Sequence, residues 1–129
     1  MMSDLHAWTA ARAEELPGSE LRHPFGPETD VFAVRDKLFM FHVVRHGSGI
    51  VVLKCRPTES EALRATFPEI TPGYHMNKRH WITLNPGALE RDLVVELVTE
   101  SYRLVVAGLP RAIRPVDPET FGLADLPSG

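Results

Sequence analysis

The densest polar stretch of this chain is residues 73–81, GYHMNKRHW. It combines two imidazoles, an amide, two cations and two flanking aromatic rings, supplied by His75, His80, Asn77, Lys78, Arg79, Tyr74 and Trp81. No acidic residue occurs between Glu69 and Glu90. Such residues can bind a metal, perform acid–base chemistry, contact an anion or nucleic acid, or form a solvated loop, and their spacing must discriminate among these four.

The spacing of the two histidines argues against a metal site. His75 and His80 are five positions apart, so on a strand they point to opposite faces, and on a helix they are rotated by about 500°. Neither a C-x-x-C pair nor an H-E-x-x-H motif is present. We therefore expect no metal ion and no cofactor.

The one cysteine is the best candidate for nucleophilic catalysis. Cys55 lies between Lys54 and Arg56, and two neighbouring cations are expected to lower its thiol pKa. A buried and inert cysteine is the commoner case, however, and no Cys/His signature or Gly-x-Ser-x-Gly elbow surrounds it. We expect a non-enzymatic protein, and keep an enzyme using Cys55 or His75/His80 as an alternative.

Anion or nucleic-acid contact is the chemistry that the stretch supports best. Lys78 and Arg79 are charge-assisted donors for phosphate, and aromatic rings beside them offer stacking surfaces. The predicted site comprises Lys78, Arg79, Asn77, His75, His80 and Tyr74, joined by Lys54 and Arg56 if the strand that carries them lies nearby. The opposing interpretation is a solvated loop in which Trp81 is a buried anchor and Asn77 only shapes the turn.

The whole chain sets limits on this hypothesis. Its 129 residues fit one domain, and a formal net charge of −3 gives no global basic field. Residues 37–89 nevertheless hold seven basic and three acidic residues, net +4, so this middle part is the plausible anion-facing region. A lone cysteine, no signal peptide pattern and no long apolar run predict a cytoplasmic protein, which we expect to be a monomer outside the membrane.

The elements that must position these residues follow from periodicity. A helix is expected over residues 3–16, with Ser3 as its N-cap and Trp8 as a core anchor. Strands are expected at 31–36, 37–46 and 49–55, joined by two tight turns into an antiparallel meander, and another at 80–84. A short helix should begin with a Thr58/Glu61 capping box, residues 69–74 should form a loop, and a long helix should end near Gly108.

Alternation along the strand at 37–46 assigns side chains to two faces of the sheet. Leu38, Met40, His42 and Val44 should share one face, with Phe39, Phe41 and Val43 on the other. His42 then lies among apolar neighbours, where a hydrogen-bonded core histidine is expected. The order of elements predicts a two-layer α+β domain, with helices packed on one face of a mostly antiparallel sheet.

Several segments, in this order, resemble the MmcQ/YjbR family of small bacterial proteins: HPFGPETDVFAV, KLFMF, VVLKCRPTESEALRATFPEITPGYHMNKRHW and SYRLVVAGLPRAIR. The similarity runs from about Leu5 to Arg114, which indicates one domain at residues 1–114 and a loosely ordered, acidic tail rich in Pro and Gly at 115–129. It implies a fold like that of CyaY, the bacterial frataxin relative, and DNA binding through a double-wing arrangement. Iron handling is not expected, because the first helix offers only the acidic pair Glu14 and Glu15.

The leading hypothesis is therefore a DNA- or polyanion-binding protein that uses residues 74–81. The first alternative is a protein-interaction module that presents the surface or edge of its sheet to a partner protein.

Overall fold

A computed structural model of the chain describes residues 4–122. Its helices are α1 (Asp4–Glu15), α2 (Pro57–Thr66) and α3 (Arg91–Ala107), followed by a short 3₁₀ helix at Arg111–Ile113. Its strands are β1 (Ser19–Arg22), β2 (Asp30–Val34), β3 (Lys37–Arg45), β4 (Ser48–Lys54), β5 (Ile70–Pro72) and β6 (Trp81–Leu84).

The six strands form one sheet in the order β1-β2-β3-β4-β6-β5, and every neighbouring pair is antiparallel. The predicted meander of β2, β3 and β4 is confirmed, and so is the α+β fold class. The chain then leaves the sheet through α2, forms the edge strand β5, and passes through the polar stretch into β6, which lies between β4 and β5. This path brings the polar stretch that precedes β6 next to the centre of the sheet.

Helices α1 and α3 pack against each other and against one face of the sheet, called here the helix face. The main core between them contains fully buried side chains of β3, β4, β6 and α3, among them Phe39, Leu53, Leu84, Val98 and Tyr102. Burying such a side chain stabilises the fold by about 1.5–3 kcal/mol. Trp8 is half-buried and packs against this core from α1.

A β-bulge changes the predicted faces of β3. The register between β2 and β3 shifts at Phe32/Ala33, so that Phe32 lies opposite Met40 and Ala33 lies opposite Leu38. Phe39 therefore turns into the main core beside Met40, and Leu38 packs on the opposite side of the sheet. The prediction that Leu38 shares a face with Met40 is wrong, because an inserted residue reverses the alternation that precedes it.

The opposite side of the sheet, called here the back face, has a smaller core of its own. Val31, Phe41, Val52 and Trp81 are buried there, and Leu38, Val43, Tyr74 and Met76 cover them in part. No helix of residues 4–122 contributes to this cluster. The segment that supplies Tyr74 and Met76 therefore takes the place of a helical layer.

His42 is buried, as predicted for a core histidine. It is 3% exposed, lies 2.6 Å (Nε2) from the Thr9 hydroxyl, and stacks on His6 with ring centroids 4.3 Å apart. His6 Nε2 is 2.8 Å from the carbonyl oxygen of Ile50, which can only accept, so this nitrogen carries a hydrogen. The two rings join α1 to the centre of the sheet.

Three local predictions are wrong, each for a physical reason. Helix α2 begins at Pro57 with Arg56 as its N-cap and no side-chain cap, because proline suits the first helical position and leaves Thr58 inside the helix. Residues 70–72, predicted as a loop, form an edge strand, because β6 supplies a hydrogen-bonding partner for them.

The third wrong prediction concerns the tail. Residues 115–122 are not loose, since Phe121 packs on Tyr102 and Arg103 Nε donates to the Pro118 carbonyl.

Two sequence predictions fall on residues outside 4–122, namely the Ser3 cap and the last part of the tail. Within the described part of the chain, no helix is both long and apolar enough to cross a membrane.

Candidate functional site

Residues 73–80, called here the basic loop, are held to β6 by close backbone contact. The Gly73 N–H donates to the Trp81 carbonyl at 3.0 Å, and a Cβ on Gly73 would lie 2.5 Å from the Cβ of Trp81. The Tyr74 N–H donates to the Thr83 hydroxyl, which itself donates to the Pro72 carbonyl. Glycine is required here because any larger residue would push the loop off the strand.

The middle of the basic loop is a tight turn. His75 has a φ of 58°, and the Asn77 side-chain oxygen accepts the Arg79 N–H at 2.8 Å. The His80 N–H returns to the Asn77 carbonyl at 3.3 Å. Asn77 therefore uses its amide oxygen to shape the loop, which leaves only its NH₂ group to face a ligand.

Trp81 lies where a core anchor is expected. It is 7% exposed, and its ring centroid is 5.4 Å from that of Phe41. Lys54 Nζ lies 5.6 Å from the Trp81 ring on the same face of the sheet. The indole is thus enclosed between the sheet and the basic loop, so it is not a free stacking surface.

The basic loop borders an open groove of about 860 Å³ on the back face. The groove lies between the basic loop, β5 and the turn after β6, and its wall includes Arg45, Glu69, Tyr74, His75, Lys78, Thr83 and Asn85. We call it the back-face groove. Of the predicted site residues, the structure brings Tyr74, His75 and Lys78 together here, whereas Arg79 and His80 are exposed outside its wall.

Arg45 is the residue that sequence reasoning missed. Its guanidinium carbon lies 4.6 Å from the ring centroid of Tyr74, and the Tyr74 ring lies 4.0 Å from that of His75. A stacked guanidinium keeps its in-plane N–H donors available for an anion. Alternation along β3 gives the signal that could have found it, because it places Arg45 on the same face as Phe41 and Val43.

The cations in and beside the groove have no acidic partner among the described residues. Within residues 4–122, Arg45, Lys78 and Arg79 form no ion pair. Acidic side chains within 4 Å neutralise the cations Arg12, Arg22, Arg56 and Arg103. Arg45, Lys78 and Arg79 therefore keep uncompensated positive charge in and beside the groove.

The two cations predicted from the end of β4 separate. Arg56 lies 3.9 Å from Glu59 and 3.9 Å from Glu100, so it faces the acidic side chains of α2 and α3. Lys54 remains on the back face, over Trp81, but outside the wall of the groove. The end of the strand explains this: Lys54 is the last residue of β4 and pairs with Trp81, whereas Arg56 lies beyond the strand as the N-cap of α2.

Cys55 does not have the environment that its neighbours suggested. Its side chain is 5% exposed, and its N–H donates to the His80 carbonyl at 2.8 Å. Burial, with a smaller contribution from Glu59, raises the pKa of the Cys55 thiol to about 11. The prediction of a lowered pKa is wrong, because burial outweighs the charge of Arg56, whose side chain is exposed and shared with two carboxylates.

The histidines of the basic loop do not meet further ligands. Within residues 4–122, no three His, Cys, Asp or Glu side chains converge on a common point. His75 instead packs on Tyr74, and its backbone occupies the left-handed region of the turn. The arrangement offers cations, ring faces and amide donors, which suit anion binding.

The fold and the site together define a small α+β protein, with helices on one face of an antiparallel sheet and a basic loop on the other. The family model described as YjbR matches residues 14–104, and the chain belongs to the YjbR family. The matched region contains the whole of the basic loop and Arg45.

Individual relatives agree with this assignment. The uncharacterised protein YbdF of Escherichia coli O157:H7 is 43% identical over 108 residues, covering 83% of this chain and 88% of YbdF. YjbR of Escherichia coli K12 is 34% identical over 82 residues, covering 63% and 70%. The crystal structure of Deinococcus radiodurans DR2400, a DUF419 domain, has a TM-score of 0.75 at 35% identity, covering 81% of this chain and 80% of that one.

Proposed function

We propose that this protein is a non-enzymatic binding protein, and that its ligand is DNA or another polyanion contacted through the back-face groove and the basic loop. One observation carries the proposal: Arg45 and Lys78, which have no ion pair within residues 4–122, converge on one open groove beside the rings of Tyr74 and His75. Arg79 stands exposed next to them as a third donor.

A polyanion is favoured over a single small anion because the groove is open and because Arg79 lies exposed outside its wall, beyond Lys78. Glu69 also lines the groove, but its carboxylate accepts the Ala88 N–H at 2.7 Å, whereas Arg45 lies at the Tyr74 ring. Phosphate is therefore expected along the side formed by Arg45, Tyr74 and Lys78. Charge-assisted hydrogen bonds from Arg and Lys to phosphate are among the stronger polar contacts of proteins.

Salt dependence tests this proposal directly. If Arg45, Lys78 and Arg79 each contact one phosphate of duplex DNA, the slope of log K against log salt should be about −2.7. Affinity should then fall about 40-fold between about 50 mM and about 200 mM salt. Fluorescence anisotropy of a labelled duplex, at a series of salt concentrations, measures both quantities.

Single variants separate specific contacts from a general charge effect. Arg45→Ala and Lys78→Ala should each weaken binding and reduce the slope by about 0.9. Arg111→Ala is the matched control, because Arg111 is also exposed and has no ion pair within residues 4–122. Arg111 also lies away from the groove. Its neighbour Ile113 accepts a hydrogen bond from Arg35 Nε in the β2–β3 turn, which is at the opposite end of β3 from Arg45. Absence of binding at low salt, or an equal loss in Arg111→Ala, contradicts the proposal.

The protein-interaction alternative has one supporting observation. Strand β1 has β2 on one side and no strand on the other within residues 4–122, and Leu21 on it is 54% exposed. The other edge is a poor template for an added strand, since β5 has three residues and ends at Pro72, which lacks an N–H. Binding of a partner protein that Leu21→Asp abolishes and Lys78→Ala leaves intact would support this alternative.

A further inference from the structure

We infer that the back face binds single-stranded nucleic acid in preference to duplex, with exposed bases stacked on Phe25 and phosphates on the cations at both ends of the face. This inference rests on the proposed function and names the class of polyanion. It comes from a feature that the groove does not include, the aromatic ring of Phe25 in the loop between β1 and β2.

Phe25 is the most exposed large apolar side chain of the described residues, at 67%. Its ring centroid lies 6.3 Å from that of Phe41, and the two planes are inclined by only 26°. One side of the ring is therefore supported by the back-face core, and the other faces solvent. Pro24 fixes the backbone directly before Phe25, and the Gly26 N–H donates to the His23 carbonyl at 3.3 Å, which closes the loop around the ring.

The supported ring is part of a continuous aromatic layer. Phe25 stacks on Phe41, Phe41 contacts Trp81, and Tyr74 packs on the same cluster with His75 beside it. Trp81 and Phe41 are buried, so the rings that can meet a base are those of Phe25, Tyr74 and His75. Stacking on such rings tolerates any base, because every base has a π-face.

Cations lie at both ends of this layer. Arg45 pairs with Ser48 at the start of β4, and Lys54 ends the same strand. Ser48 and Lys54 are six residue steps apart on this extended strand, about 20 Å at the usual rise. Lys54 has no ion pair within residues 4–122, and its amine lies over the Trp81 ring. A ligand that meets both cations must therefore be extended and anionic along its length.

Single strands satisfy these conditions better than duplex. In a duplex the base faces are stacked on each other, so that base edges and phosphates can reach the protein but base faces cannot. A single strand can offer a base face to Phe25 and phosphates to Arg45 and Lys54. An acidic peptide has the charge but lacks the planar rings that would match this aromatic layer.

The experiment compares ligands of equal length on the full chain. Labelled oligothymidylate of twelve nucleotides should bind more tightly than a blunt-ended duplex of twelve base pairs, and shorter oligothymidylates should weaken once they no longer span about 20 Å. Phe25→Ala should weaken single-strand binding about tenfold, as expected for one lost stacking contact, and leave duplex binding unchanged. Phe25→Leu keeps the apolar bulk but has no π-face. It should therefore weaken single-strand binding as much as Phe25→Ala does.

The control variant is Leu21→Ala, which removes another exposed apolar side chain. Leu21 pairs with Phe32 of the main core, so it lies on the helix face, and its loss should not affect binding. Equal affinity for single strand and duplex, with no effect of Phe25→Ala, would overturn this inference. Salt-dependent binding of the duplex in the same experiment would still support the proposed function. Equal binding of a twelve-residue polyglutamate would also overturn it. No binding to any of the ligands would overturn both.

Discussion

Acid should destabilise this protein through the buried side chain of His42. His42 is 3% exposed and lies against His6 and Phe32, with Asp30 opposite it on β2. Burial, with a smaller contribution from His6 and against the attraction of Asp30, lowers the pKa of His42 from 6.5 to about 3. The neutral ring fits its bonding, because the Thr9 hydroxyl donates to the Leu5 carbonyl and can accept an N–H from His42.

The magnitude follows from proton linkage. A histidine whose pKa is lower in the folded state binds fewer protons when folded, so its contribution to stability is complete above pH 6.5 and is lost as the pH falls toward 3. Between pH 7 and pH 5 the loss from His42 is about 2 kcal/mol, a large part of the stability of a small domain.

Urea unfolding followed by circular dichroism at pH 7 and pH 5 measures the loss, and a variant isolates its source. His42→Leu has similar volume and leaves the Thr9 hydroxyl bonded to Leu5, so its free energy of unfolding should fall by about 2 kcal/mol less on acidification than that of the wild type. The control, His46→Asn, removes an exposed histidine with a φ of 51°, which asparagine tolerates. If the wild type and His42→Leu show equal pH dependence, burial of a neutral His42 is refuted.

Two further predictions concern the basic loop and the cysteine. Gly73→Ala should lower the free energy of unfolding in urea by about 1–3 kcal/mol, because the new Cβ would lie 2.5 Å from that of Trp81. The control Gly108→Ala should be tolerated, because the nearest atom to its new Cβ is 3.5 Å away. Equal stability of the two variants would contradict the close packing of the basic loop on β6. Cys55 should react with a thiol reagent at neutral pH only after urea unfolding, since it is 5% exposed with a pKa of about 11, and rapid reaction of the native protein would show that it is accessible.

The sequence predicts those parts of the fold that depend on local patterns. The hairpins around β3 follow from β-rich runs separated by short turns, and Gly108 ends α3 as expected. The bulge at Phe39 and the strand at 70–72 could not be read in this way, because each depends on a neighbouring strand. A shift in the β2–β3 register creates the first, and pairing with β6 creates the second.

The candidate site shows the same limit in its electrostatics. Sequence neighbours suggested that Lys54 and Arg56 act on Cys55, but a strand sends adjacent side chains to opposite faces, and Arg56 meets Glu100 from a helix 44 positions away. The net charge of +4 over residues 37–89 therefore does not describe a surface.

Strand parity is the information that turns this charge into a site. Arg45 lies 33 positions from Lys78 in the sequence, yet both border the same groove, because β3 directs Arg45 to the back face and the basic loop folds over that face. Conversely, Arg56 is nearer to Lys78 in sequence but is paired with acids of α2 and α3. If binding follows the face, Arg45→Ala should reduce nucleic-acid affinity more than Arg56→Ala. The opposite order, measured by anisotropy on the same ligand, would show that the basic loop acts without the sheet beneath it.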